Sequence, residues 1–487
     1  MLRLARWLLG WVLWTAAVVF ASIVVFGAWQ ARWRIPDLQP WHRFVPDDVR
    51  AAEVTPGFTF AQYLKREDEV FAQVAQQVEA RVPPEHRNVS NRYYRAAALR
   101  DKMGRDWNRT TEFVPDGPPV AGALLVHGLT DGPYSMRSIG EALRAHGVYA
   151  VALRMPGHGT VPAGLTRATW RDWLAVVRVG ARHVRQVVGP VKRLVLVGYS
   201  NGGALATKYA VDVAEGSGDP APHRLVLLSP MIGITRAARL TRPISLLSFI
   251  PFFEKARWLE VAQEYNPFKY VSGTANAGFE TFQLTREVQS GVARLEKSGR
   301  GSLPPILTFH SLVDATVSTP ALVSRLYERL PENGSEIVMF DIDRTSGLTP
   351  FIKPEDLTLL SRLTDHEPRR FVRTLVTNAS PDTRAVVARR VLAGARAAAE
   401  EPLGLEWPAD VYSLSHVAIP FPVDDPLYGL DPGPNAFGTR RLGALAPRGE
   451  KAVLTVPVDT LMRVMSNPFY PYLERRLLEW VGVAAPR

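Results

Sequence analysis

Six short apolar runs, in four of their five gaps separated by a stretch with helical spacing, constrain this chain more than any other feature. They are ALLVHGL (123–129), YAVALRM (149–155), RLVLVGYS (193–200), RLVLLSP (224–230), PILTFHS (305–311) and EIVMFDI (336–342). A strand apolar on both faces must be covered on both. The helical stretches at 138–147, 169–188, 202–214 and 321–330 supply the cover. The pattern predicts an α/β architecture, a mainly parallel sheet with helices on either side.

Two long segments break the alternation. Residues 231–303 include LTRPISLLSFIPFFEKARWL, which is apolar and punctuated by proline. Residues 344–410 hold a possible strand at 371–378 and what reads as a basic helix near 383–399. A closing helix is expected at 466–482. With 487 residues, the chain has room for one large core and both segments.

The N-terminus has a different character. Trp7 to Trp29 contains no charge, and as a helix it would be about 34 Å long, enough to cross a hydrocarbon core of about 30 Å. Trp7, Trp11 and Trp29 lie near its ends, where amphipathic rings favour the interface. A cleaved signal peptide would have a shorter apolar region and a small-x-small cleavage site, neither of which is evident. We therefore expect a retained single-pass anchor over 1–30. Arg3 and Arg6 before the span nearly balance Arg32 and Arg34 after it. The simplest insertion keeps the short tail inside, which puts the catalytic domain on the periplasmic side of a bacterial inner membrane. An extension over 31–110 follows, with a helix at 61–82 and no evident chemistry.

The net charge is +11, but the basic residues are dispersed, with no dense run and no zinc-finger spacing. Nucleic acid is therefore not an expected partner. Without cysteine there can be no disulfide, thiolate metal site or cysteine nucleophile.

The chemistry centres on Gly198-Tyr199-Ser200-Asn201-Gly202, a G-x-S-x-G between an apolar strand and a helix. The string alone is weak. Its context is strong, because a sharp strand-to-helix turn exposes the serine and needs glycines on both sides. A serine nucleophile needs an imidazole base and a carboxylate to orient it, in the chain order Ser, Asp or Glu, His. Asp314 follows the strand at 305–311, with Asp341 and Asp343 as competitors. His416, in SLSHVAIPF, is the expected base, with His366 as runner-up. His310 reads as a strand-end residue. Two main-chain donors should hold the oxyanion. They are expected to be Asn201, after the nucleophile, and Leu129, after the strand that ends at His127-Gly128.

With these residues in place the chain resembles the α/β-hydrolase superfamily, in particular its branch of monoacylglycerol lipases, carboxylesterases and serine aminopeptidase-like lysophospholipases. HGLTDGPYSM, RMPGHGT (154–160), GYSNGG, VDATV and SLSHVAIPF carry the resemblance. It implies a hydrolase domain over 111–487, with a helical cap within 231–303 over an acyl pocket and a second insertion at 344–410. It also implies ester hydrolysis through an acyl-serine, of small-molecule or lipid esters, with neither metal nor organic cofactor. His158 would be structural. A peptidase or amidase of the same fold is the alternative, and a non-catalytic membrane-bound binding module a more distant one. In the branch the histidine loop closely follows the last strand, whereas here 344–410 intervene.

Overall fold

The structure, a computed structural model, describes residues 2–94, 104–234, 246–299, 301–352, 354, 358, 367–433, 442–444 and 458–483. In chain order the helices are α1 (Leu2–Arg34), α2 (Pro40–Arg43), α3 (Phe60–Gln77), α4 (Arg137–Ala145), α5 (Trp170–Val188), α6 (Asn201–Ala214), α7 (Ala275–Ser298), α8 (Thr319–Arg325), α9 (Val458–Leu461) and α10 (Tyr470–Val481). The strands are β1 (Thr111–Phe113), β2 (Ala121–Val126), β3 (Val148–Leu153), β4 (Arg193–Tyr199), β5 (Arg224–Leu228), β6 (Trp258–Glu260), β7 (Gly273–Thr274), β8 (Ile306–Ser311), β9 (Glu336–Phe340), β10 (Val372–Asn378), β11 (Ala385–Val391) and β12 (Ala398–Glu406).

All six apolar runs become strands of one ten-stranded sheet, in the order β1-β3-β2-β4-β5-β8-β9-β10-β11-β12. From β3 to β10 every pairing is parallel. Side chains alternate across the sheet. Leu124, Val126, Leu194 and Leu196 join the core on one face, and Ala123, Leu125, Val195 and Val197 the core on the other. This is the α/β-hydrolase fold. The chain passes from β2 outward to β3 and then returns to β4 on the other side of β2, so the order reverses between β2 and β4. The crevice at the carboxyl ends there is where an open α/β sheet places its site.

Local chemistry fixes the helix starts. Thr59 caps α3 and Thr169 caps α5, each in a reciprocal pair with the residue three positions on, Gln62 and Asp172. Asp172 also accepts from the Ala51 N–H at 2.7 Å, which ties the N-terminal extension to the helical layer.

Three expectations change. Residues 383–399 are not a helix: β11 and β12 pair antiparallel along the edge of β10. Alanine-rich composition favours a helix locally. However, Val386, Val387 and Ala388 are buried in the extended sheet, Gly394 takes φ +73° in the turn, and Arg389 pairs with its cross-strand neighbour Glu400 at 2.9 Å. Burial and edge pairing override propensity.

The second change is in 231–303. The long helix α7 packs on α6 and so belongs to the layer covering the sheet. Among the described residues of this segment, the 3₁₀ turns Leu246–Phe249 and Pro251–Arg257 and the small β6–β7 pair form a cap-like excursion.

The third concerns the apolar side chains expected over an acyl pocket. Phe249, Ile250 and Phe252 are exposed, and their turns lie along α1. Ile244 falls outside the described residues.

Within Arg6–Arg34, the most apolar 18-residue window of α1 has mean hydropathy 2.3 and is 6% buried, and among the described residues α1 is the one helix long and apolar enough to cross a membrane.

Candidate active site

β4 delivers Ser200 to the carboxyl edge, and α6 begins at the next residue. Ser200 takes φ 53°, ψ −116°, a conformation that non-glycine residues rarely hold. Its N–H donates to Leu228 O at 2.9 Å, which locks the turn against β5. The flanking glycines are steric requirements. A Cβ on Gly198 would stand 2.4 Å from Gly202 O, and one on Gly202 would stand 2.0 Å from Val126 O.

His416 opens a short 3₁₀ turn, His416–Ala418, and is buried. Its Nε2 lies 2.9 Å from Ser200 Oγ and its Nδ1 lies 2.7 Å from Asp314 Oδ2. The three residues, 216 and 102 positions apart along the chain, meet in one line of hydrogen bonds. The other carboxylate oxygen of Asp314 accepts from the N–H groups of Thr316 and Val317, at 2.8 and 3.0 Å. Burial alone would raise the Asp314 carboxyl. The adjoining His416, its hydrogen bond, His310 and the Val317 N–H outweigh burial and hold the group well below the usual carboxylate range.

The competitors lie elsewhere. Asp341 pairs with Arg344 at 2.8 Å and accepts from Thr377, and Asp343 caps the turn at Thr345. His310 bonds Thr319 at 2.8 Å, and burial lowers it to about 4. His366 is outside the described residues.

β10–β12 widen the sheet while the chain between β9 and the histidine loop runs its course. Ile342 then pairs with Ser413, Tyr412 O accepts from the Asp343 N–H at 2.8 Å, and Leu414 O accepts from Ser311 Oγ at 2.7 Å. The loop is thus pinned across the ends of β8 and β9, and His416 reaches the site despite the long detour.

After β2 the chain turns at Gly128-Leu129-Thr130. A Cβ on Gly128 would lie 3.2 Å from Ser200 Cβ, so this loop lies directly against the serine. Among the described residues, neither the Leu129 nor the Asn201 N–H donates to a protein acceptor. His127 supports the loop from behind: Nδ1–H donates to Gly128 O at 2.8 Å and Nε2 accepts from Met155 N–H at 3.1 Å. Burial, with His158 adding to it, holds the imidazole well below its usual range and therefore neutral.

Two groups of residues around the site gave no sequence signal. Arg154, fully buried in the RMPGHGT turn, binds both Asp48 oxygens at 2.8 and 2.9 Å and Glu67 at 3.0 Å. Asp48 also accepts from the Gly157 N–H at 2.8 Å. Both acids come from the extension, so Asp48 and Glu67 buttress the turn that follows β3. Lys269 pairs with buried Asp131 at 3.3 Å, and Tyr270 N–H donates to Thr130 O at 2.8 Å. No local motif announces contacts between segments this far apart.

Among known proteins, the alpha/beta hydrolase family matches residues 123–341. A thermostable monoacylglycerol lipase of Bacillus sp. (strain H-257) is 38% identical over 93 residues, covering 19% of this chain and 36% of that enzyme. This chain thus matches little more than a third of the relative's length. Similar solved structures include a Paleococcus ferrophilus monoacylglycerol lipase, 18% identical over 48% of this chain and 88% of the other, with TM-score 0.36. A soluble variant of the Saccharomyces cerevisiae monoglyceride lipase is 13% identical over 48% and 82%, with TM-score 0.39. Over residues 123–341, just under half of the chain, the protein is similar to the alpha/beta hydrolase family, and those residues hold most of β2 and the parallel strands β3, β4, β5, β8 and β9.

Proposed function

We propose that the protein is a membrane-anchored serine hydrolase that cleaves carboxylic esters through an acyl-Ser200 intermediate. The observation that carries this reading is the Asp314–His416–Ser200 line, which ends on a hydroxyl held in a strained turn. In the first step Ser200 Oγ attacks the ester carbonyl while His416 Nε2 takes the hydroxyl proton. Asp314, ionised, keeps the Nδ1–H tautomer and stabilises the imidazolium. The N–H groups of Leu129 and Asn201 receive the oxyanion, aided by the positive end of α6. His416 then protonates the leaving alcohol. Water, activated by the same imidazole, releases the acid and restores Ser200.

Acyl esters of lipid-like alcohols are the proposed substrates. Support comes from the apolar helix α1, which would hold the domain beside lipid, and from the partial likeness to a monoacylglycerol lipase. An amide or peptide substrate would use the same machinery and differ only in the leaving-group pocket.

The test is fluorophosphonate labelling of the full chain in detergent, followed by a chain-length series of aryl esters beside aminoacyl anilides. Each buried methylene contributes at most about 0.8 kcal/mol, so kcat/KM should climb with acyl length until the pocket is full. A flat profile would remove the lipid reading, and a preference for anilides would favour the peptidase. An unlabelled but folded protein would leave only a binding role.

A further inference from the structure

The residues expected over the acyl pocket raise the question of what their exposed rings face. The turns Leu246–Phe249 and Pro251–Arg257 pack along α1. On α1 itself Ala28 is completely buried and Val24, Gly27 and Ala31 are half-buried, a stripe at helical spacing, while Val25, Phe26 and Trp29 stay exposed. Several polar contacts fix the arrangement. Lys255 Nζ donates to Ile35 O at 2.8 Å and to Asp37 at 3.0 Å, and Arg43 pairs with Glu254 at 3.0 Å. The Arg32 guanidinium lies 5.7 Å from the Phe252 ring centre.

This contact has a consequence for depth. The apolar run of α1 ends at Trp29, before Gln30 and Arg32. Val24 is five residues further in, about 7–8 Å along the axis. Whatever packs along the stripe from Val24 to Ala31 therefore stands at the level where the apolar run meets water. On and between those turns and on the following strand, Phe249 is 75% exposed, Leu259 56%, Phe252 50% and Ile250 37%. A single exposed apolar side chain is ordinary. Phe249, Ile250 and Phe252, on or between turns packed along a helix that is apolar on all sides, add apolar surface beside it, and Leu259 follows two residues after the second turn. Arg32 and Arg34 lie in the last turn of α1 and Arg257 ends the turn packed along it, cations of the kind that meet lipid headgroups.

We propose that this face is a membrane-docking surface. Phe249, Ile250, Phe252 and Leu259 enter the headgroup–acyl boundary of the bilayer that α1 crosses, so the hydrolase domain rests on the lipid at two points and does not swing from a tether. The inference rests on the reading of α1 as a membrane anchor.

The chain has no cysteine, so one introduced cysteine gives one labelling site. The full-length variants Phe249→Cys, Phe252→Cys, Ser22→Cys within α1, and Val191→Cys in the exposed turn before β4 would each carry an environment-sensitive fluorophore. They would be reconstituted in phosphatidylethanolamine–phosphatidylglycerol vesicles containing lipid brominated either near the headgroup or deep in the chain. Labels at 249 and 252 should shift to the blue and lose emission mainly to the shallow bromines. The label at 22 should respond to the deep ones, and that at 191 to neither. Quenching at 22 with none at 249 and 252 would overturn the docking surface and leave the anchor standing. No quenching at 22 would remove both. Shielding of 249 and 252 that follows protein concentration and not brominated lipid would assign the face to a second copy of the chain and also overturn the proposal.

Discussion

Two buried polar networks flank the loop after β2, and they differ in how they end. Around Arg154 every charge meets its partner inside the protein: Asp48 with both oxygens, Glu67 with one, and the carbonyl of His158 at 3.1 Å. Around His416 the chain of bonds stops at Ser200 Oγ, and the main-chain N–H groups of Leu129 and Asn201 meet no protein acceptor among the described residues. A closed network stabilises a conformation. An open one leaves bonding capacity for a substrate. Burial and unusual ionisation are common to both, so neither property alone would have separated support from chemistry.

The largest test of that contrast is at the open end. Ser200→Ala should abolish fluorophosphonate labelling and cost roughly 10⁴-fold or more in kcat, with the thermal midpoint little changed; near-normal turnover would sink the assignment. Asp314→Asn and His416→Ala should each cost a factor of the same order in kcat, roughly 10³–10⁴, whereas Asp341→Asn and His366→Ala should leave kcat within a few-fold. Full activity in His416→Ala would move the base elsewhere.

The closed network should respond in stability. Arg154→Ala strands two carboxylates in the interior and should cost about 3–5 kcal/mol, read as a lowered denaturation midpoint. If that variant matched the parent in denaturant, the cluster would be dispensable. The effect of pH follows from Asp48. Burial raises its carboxyl, but the Arg154 charge and hydrogen bonds and the Gly157 N–H prevail and hold it below its ordinary value of 3.8. Its contribution to stability is therefore complete above that value and is lost as pH falls through the lower, folded one. A plot of melting temperature against pH should drop less steeply on the acid side for Asp48→Asn than for the parent; identical acid limbs would refute the linkage. The smallest effect is expected at Leu129→Ala, because the proposed oxyanion donor there is main-chain. A kcat loss approaching that of Ser200→Ala would mean that the side chain shapes the site.

The parallel half of the sheet was legible because its strands are apolar on both faces and its turns carry Gly198, Ser200 and Gly202, whose chemistry is local. The antiparallel edge was not. TRAVVARRVLAGARAAA has helix-forming composition, and only the open side of β10 makes it a hairpin. The apolar run near Phe249 was equally ambiguous, since hydrophobicity specifies burial or lipid but not which surface will do the covering.

The sequence by itself determined the six apolar strands of the parallel sheet, the position of the serine, the chain order of its candidate partners and the apolar run of α1. Each rests on periodicity or on residues within one turn of each other. Only the tertiary structure decided that Asp48 and Glu67 from the extension close around Arg154, and that Lys269 meets Asp131. It also decided that three added strands still return His416 to Ser200, and that the turns at 246–257 lie along α1. These are contacts between segments tens to hundreds of residues apart. Their partners are set by where the chain is carried in space, which no local pattern encodes.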